Sequence, residues 1–250
     1  MKILEDANMD QSFETRLESL EASVTSLKKQ LDEKDRQIED LMDIEAIKRL
    51  QCAYGYYLEH WMSEEIIDLF ADHPDVSATY VEGTYLGLEG VRRYFGRMRY
   101  AQPTFLHQVM QISPIITLSE DKNTAKGRWY GYGTISSNPV DGKIDPMYMC
   151  VIYEMEYIKE DGIWKILKLA FQMHYAYKTP MPPAAKPEAA PQSEVSTMKL
   201  SPDIWAEYNT PYPSGYIYPM HFKHPVTGKE TTENVYNATL ELKPSTFKPV

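Results

Sequence analysis

The spacing of apolar residues changes character along the chain. Residues 13 to 41 carry Phe13, Leu17, Leu20, Val24, Leu27, Leu31, Ile38 and Leu41 in steps of four and three, with polar and charged residues between them. Such steps draw a narrow seam on a helix. Leu17, Val24, Leu31 and Ile38 take one heptad position, Leu20, Leu27 and Leu41 the other, and Lys34 alone interrupts the run. A lone helix would leave so thin a stripe in water, so the seam predicts an identical or similar partner, the alternative being a helix that packs back on its own domain. From Asp43 the stripe widens. Ile44, Ile47, Leu50, Cys52, Tyr54 and Leu58 form a broad face on a helix that Asp43 would cap. "SEEIIDLFADHP" predicts a second helix, with Ser63 as N-cap and Pro74 beyond its end.

The period then shortens to two. "VSATYVEG" predicts a strand and "GLEGVRRYFGRM" a third helix; residues 105–118, 124–136, 147–159 and 163–177 predict four strands. "SEDKNT", "NPVDGK" and "KEDG" separate those four with turn-forming residues, so they should be consecutive antiparallel neighbours. Helices followed by a meander predict an α+β fold, a curved antiparallel sheet with helices across its concave face enclosing a cone-shaped interior. After Tyr177 the composition turns to "KTPMPPAAKPEAAPQSEVST", an extended spacer. The division expected is a coiled-coil helix over 1–42, the main domain over 43–178, a linker over 179–199 and an irregular arm over 200–250. That arm, with Trp205, Tyr212, Tyr216, Tyr218 and Phe222, is too aromatic to stay in water and should drape over its own domain or a neighbouring subunit.

Composition narrows the partners. A formal net charge of -10 leaves no basic face for a run of phosphates, which argues against nucleic acid. There is neither a signal-peptide pattern nor an apolar run of about 18 residues, so no membrane segment is expected. Two cysteines, Cys52 and Cys150, each with apolar or aromatic neighbours, suit buried thiols in a reducing cytoplasm. The chain holds 19 tyrosines and 13 methionines, which suit an aromatic ligand pocket or simply core and interface packing. His221 and His224 lack cysteine or acidic company, so no metal is expected there.

The entry helix "IEAIKRLQCAYGYYLEHW", the "YLGLEGVRRYF" helix, the "FLHQVMQISPIITLSEDKNTAKGRWYGYG" hairpin and the closing "YEMEYIKEDGIWKI" pair, in that order, resemble the NTF2-like superfamily and its SnoaL-like branch, which includes scytalone dehydratase. The resemblance spans roughly residues 43 to 177. It implies the cone fold, and it matches His107 to a histidine that scytalone dehydratase-like enzymes point into the cone; Tyr56 and Tyr80 match two pocket tyrosines. It also departs from the family pattern. Tyr57 stands where an acidic residue is usual, and "GRWYGYGT" offers Arg128, Tyr130 and Tyr132 in place of a second histidine. Enlarged members of the superfamily release formaldehyde from lignin-derived diarylpropanes, and the length and tyrosine load are compatible with that branch.

Side-chain alternation sets His107, Val109 and Gln111 on one face of their strand. On the next strand Arg128, Tyr130, Tyr132 and Thr134 share a face opposite Trp129, Gly131 and Gly133. Parity leaves open which set points inward; a roomy cone favours the large side chains inward, and the other reading is an outer aromatic ladder covered by a partner subunit. Tyr54 and Tyr57 share a helix face with Leu58, while Tyr56 lies on a neighbouring one. The expected function is a cofactor-independent lyase on a hydroxylated aromatic compound, losing water or formaldehyde through a quinone methide. His107 is the expected acid–base, Tyr56 and Tyr80 position or protonate oxygens, and Arg128 steadies phenolate charge. Tyr54, Tyr57, Tyr130, Tyr132, Val109 and Tyr153 are the expected substrate contacts. The rival readings are a non-catalytic binding or assembly module, and an isomerase or cyclase. A homo-oligomer is expected, a trimer before a dimer.

Overall fold

The computed structural model describes residues 2–97, 105–136, 146–178 and 223–229, with side chains from Phe13 onward except that of Glu14. Helix α1 runs without a break from Lys2 to Glu59. Asp43 is therefore no cap, contrary to expectation: the chain has no proline before Pro74 and no glycine before Gly55, so nothing stops the helix at the point where the apolar stripe widens. The described residues fall into two compact units that divide between Glu45 and Ala46. In the first, Leu17, Leu20, Val24, Leu27, Leu31, Ile38 and Leu41 all stand exposed.

In the second unit, α1 presents Ile47, Leu50, Tyr54, Tyr57 and Leu58 to a buried core. Helix α2 (Ser63–Ile67) is shorter than the sequence suggested, and Ser63 does not cap it; its hydroxyl donates instead to the Phe95 carbonyl at 2.9 Å. Strands β1 (Ser77–Tyr80) and β2 (Gly83–Leu86) form a hairpin where one strand was expected, because Gly83 at φ 141° lets the chain reverse there. Helix α3 (Gly87–Phe95) follows, then β3 (Leu106–Leu118), β4 (Thr124–Ser136), β5 (Met147–Glu160) and β6 (Ile163–Lys178). The sheet order is β2-β1-β6-β5-β4-β3, antiparallel throughout except for the parallel β1–β6 pair. The meander and the α+β class are those read from the sequence. Register shifts in β3, between Ile112 and Ile115, and twice in β5–β6 bend the sheet. The first surrounds Ser113, at φ 53°, and Pro114, which an edge strand tolerates.

One inward column decides what fills the cone. On β4 it is Ala125, Gly127, Trp129, Gly131 and Gly133 that are buried, while Arg128, Tyr130 and Tyr132 are exposed. The parity preferred above is thus reversed, and the neighbouring strand supplies the reason. Tyr153 and Tyr157 of β5 lie across β4, so that a Cβ on Gly131 would sit 2.6 Å from the Tyr153 ring and 2.5 Å from Val151 Cγ2. Gly131 and Gly127 leave room for the Tyr153 and Tyr157 rings of β5. The cysteines also differ from expectation, since Cys52 is exposed and Cys150 half-buried at the edges of the packed region.

No described helix is long and apolar enough to cross a membrane. The linker and most of the arm, including Trp205, Tyr212, Tyr216, Tyr218 and Phe222, lie outside the described residues. Replacing Gly131 with Ala is expected to cost about 1–3 kcal/mol, the usual penalty for overpacking a filled core. Urea unfolding would measure it, and a variant as stable as the parent would show that the two rings have space to move.

Candidate functional site

The corner between α1 and α2 is built on a strained residue. Trp61 holds a left-handed backbone, φ 51°, which a bulky side chain adopts only when its surroundings demand it. The demand comes from the end of α3, where the Phe95 carbonyl accepts from Trp61 Nε1 at 2.8 Å as well as from Ser63. With its nitrogen pinned, the indole is a fixed platform, and two functional groups meet on it. The His107 ring lies 5.4 Å from the Trp61 ring, and the Arg97 guanidinium 4.8 Å from it and 4.3 Å from the Tyr94 ring.

His107 is half-buried on the inward face of β3 and, among the described residues, pairs with no carboxylate. Burial of the ring, reinforced by the Arg97 charge, lowers its pKa to about 3. The imidazole is therefore neutral, with a lone pair to offer, throughout the physiological range. Arg97 itself is about half exposed and reaches Glu82 at 3.6 Å, a surface pair that leaves much of its charge facing the site. Its field extends to Tyr80 and Tyr94, where it opposes the upward push of burial on both hydroxyls.

Behind this corner runs a line of buried polar groups. Tyr80 stacks on Tyr94 at 4.0 Å and shares a 2.7 Å hydrogen bond with Tyr54. Tyr54 meets Tyr153 edge to face, and burial pushes the Tyr153 hydroxyl up to about 12, with Gln111 and Tyr54 acting the other way. Gln51 Nε2 donates to Gln111 Oε1 at 2.8 Å; Gln51 Oε1 accepts from the Tyr157 hydroxyl at 2.8 Å, which accepts from Trp129 Nε1 at 3.0 Å. The hydrogen bonds among Tyr54, Tyr80, Gln51, Gln111, Tyr157 and Trp129 hold these groups in one arrangement, while the Tyr153 hydroxyl is buried without a hydrogen-bond partner among the described residues.

The expected site residues therefore separate. His107, Tyr80, Tyr54, Tyr57, Tyr153 and Val109 all lie on the inner side of the second unit. Arg128, Tyr130 and Tyr132 are on the opposite face of the sheet, with Arg128 ion-paired to Glu154, and cannot serve a site inside the cone. Tyr56 is 56% exposed and lines a groove of about 310 Å³ beside Gly55, Glu59, Met110 and Ile112, along the free edge of β3. Arg97 takes the place that the sequence reading gave to Arg128. It follows α3 by two residues, where no periodicity points a side chain, and the Trp61 and Tyr94 rings and Glu82 hold it there. Gln51 and Gln111 were legible in principle, as polar residues on otherwise apolar faces.

The described part of the arm closes over Tyr57. His224 is buried and stacks on that ring at 5.4 Å with an interplanar angle of 9°. Its Nε2 donates to the Glu65 carbonyl at 2.9 Å, while Nδ1 accepts from the Val226 and Thr227 amides at 3.2 and 3.1 Å. Both ring nitrogens are occupied by backbone, which fixes the neutral tautomer and leaves neither for a metal.

A curved sheet and helices closed around tyrosines, glutamines and a histidine define an NTF2-like cone. The chain belongs to the SnoaL-like domain family, which it matches over residues 39–170, more than half of its length. Among solved structures it is similar to a type 2 hexachlorocyclohexane dehydrochlorinase (LinA), at 19% identity over 61% of this chain and 99% of that one, TM-score 0.48. A presumed scytalone dehydratase from Novosphingobium aromaticivorans shares 17% identity over 61% of this chain and 97% of its own, TM-score 0.45. An NTF2-like protein with a cystatin-like fold from the same organism shares 15% over 56% and 86%, TM-score 0.44. No curated protein matches the chain in sequence.

Burial lowers the His224 pKa from 6.5. A depressed value means that the unfolded or detached state binds the proton more readily, so the attachment is at full strength above about pH 6.5 and weakens as the pH falls toward the lower bound-state value. Protonating Nδ1 would also cost both amide bonds. His224→Ala is expected to detach residues 223–229 at every pH and to quicken proteolysis of the C-terminal region in the full chain. Equal cleavage rates for parent and variant at neutral pH would show that the clasp holds nothing.

Proposed function

We propose that the chain is a cofactor-independent lyase acting by acid–base elimination on a small hydroxylated aromatic compound, with loss of water or formaldehyde through a quinone methide. The observation that carries this reading is the approach of a neutral imidazole and a guanidinium to one indole ring, with hydroxyl donors behind them. Elimination of this kind needs a base, a hydrogen-bond donor for the leaving oxygen and a cation for the phenolate.

The electron flow assigns a part to each group. A phenolate oxygen set against Arg97 pushes its pair through the ring; the benzylic C–O bond breaks and the leaving oxygen departs as water, with the Tyr80 hydroxyl as its donor. His107 then removes a side-chain proton, and that proton returns to the Tyr80 oxygen to restore both groups. Taken from carbon, it yields an alkene; taken from a terminal hydroxyl, it breaks the C–C bond and releases formaldehyde. In both cases the electrons return to the ring and restore the phenolate. A base with a pKa of about 3 is weak on its own. Burial is the larger cause of that depression and the Arg97 charge the smaller; a phenolate against Arg97 cancels the second, so the substrate raises the proton affinity of the base that serves it. A rival reading, a ligand-holding module without turnover, draws support from the complete burial of Tyr54, Tyr57 and Tyr153.

Turnover of a panel of phenolic diols separates the two. For a lyase, kcat/KM should lose its base only as the pH falls through about 3, and Arg97→Gln should move that limb upward toward 6.5 by removing one of the two causes of the shift. His107→Ala should lower kcat/KM roughly 100-fold or more at neutral pH. Binding of the same compounds without turnover at any pH would establish the holding module instead.

A further inference from the structure

We infer that the first unit is a self-association device of defined orientation: identical copies of this chain pair along residues 13–41 as parallel, in-register helices. The seam itself calls for a partner helix, since Leu17, Leu20, Val24, Leu27, Leu31, Ile38 and Leu41 stand exposed on α1. Charge then selects among the possible partners. Placed parallel and in register, Arg16 of one copy faces Glu21 of the next across the flank of the seam, and the remaining flanking pairs, Ser23 with Lys28 and Gln30 with Asp35, are free of like charges. Lys34, the one polar residue at a core position, then shares a layer with its own copy, a like-charge contact that Asp35 of the neighbouring copy, beside it, offsets. Within its own helix it has only the Gln37 amide oxygen, at 3.1 Å.

The antiparallel arrangement that pairs Leu17 with Leu41 fails on its flanking charges. It sets Lys34 against Val24, Glu21 against Asp35, and Lys28 against its own copy. A shift by one heptad keeps the length of the seam and restores the pairing of Lys28 with Glu21, but it sets Lys34 against Leu17 and two acidic positions, 14 and 35, against each other. A core lysine costs stability and biases orientation, since only the parallel arrangement gives it an acid that is not itself set against another acid. The occupant of the seam is thus a second copy of the chain rather than an unrelated helix, because the flanking charges complement themselves. Each copy's main domain then begins at the same end of the coil, where tethering raises their local concentration for one another.

The test uses the full chain with Cys52 and Cys150 replaced by Ser. Val24→Cys should cross-link to itself under mild oxidation, since parallel in-register helices place two copies of that position in one layer. A mixture of the Val24→Cys and Lys34→Cys chains should give no more than a trace of mixed disulfide. The reverse outcome, a mixed product without the symmetric one, would establish antiparallel pairing and overturn the proposal. So would a parent chain that light scattering finds monomeric at micromolar concentration. Lys34→Leu should raise the temperature at which the assembly dissociates and allow mixed cross-links to appear; an assembly weakened by this change would show that Lys34 has no core position to vacate. The sequence favours three copies, and the same scattering measurement reads their number.

Discussion

A strand can show only every second residue to one side of its sheet, and in β4 this constraint decides the rest of the second unit. With Trp129, Gly131 and Gly133 facing the interior, the cone is filled by rings that arrive from β5 and α1 rather than from β4 itself. Tyr153 and Tyr157 occupy the space above the glycines, and their hydroxyls then require partners, which Gln51, Gln111 and Trp129 provide or approach. The same alternation sends Arg128 to the other face. The cation that approaches His107 and Trp61 is instead Arg97, from beyond the end of α3.

Local pattern made much of the fold legible. Heptad steps, the change to period two and the turn-rich gaps located α1, α3 and the four-strand meander, because each of these depends on neighbours close in sequence. What was not legible depended on contacts far apart in the chain. Ser63 has the chemistry of an N-cap, yet its hydroxyl goes to Phe95, thirty-two residues away. The inward face of β4 could be chosen only by knowing that two tyrosines of the next strand needed the room. His107 and Tyr80 were singled out through resemblance to a family; Arg97 carried no signal, since its position rests on the Trp61 and Tyr94 rings and on Glu82.

The electrostatics of the corner follow from the same packing. Burial strips solvent from His107 and Tyr80 alike, which holds the imidazole neutral and keeps the hydroxyl protonated. Arg97 adds to the first effect and opposes the second. A negative oxygen placed on Arg97 would thus alter a base and a donor together, in a region where little water screens them. Arg97 couples the two groups, neither of which is shown in contact with the other.

Trp61 carries two demands that no other residue meets at once. Its backbone conformation is one that glycine, or at some cost asparagine, adopts with ease. Its side chain must offer an N–H to Phe95 and a face broad enough for both a guanidinium and an imidazole. A substitution that relaxed the turn would remove the platform, and another aromatic residue would keep the strain without the N–H. Variation at this position has no gradual path: any descendant that gives up the tryptophan has to rebuild the corner and the site in one step.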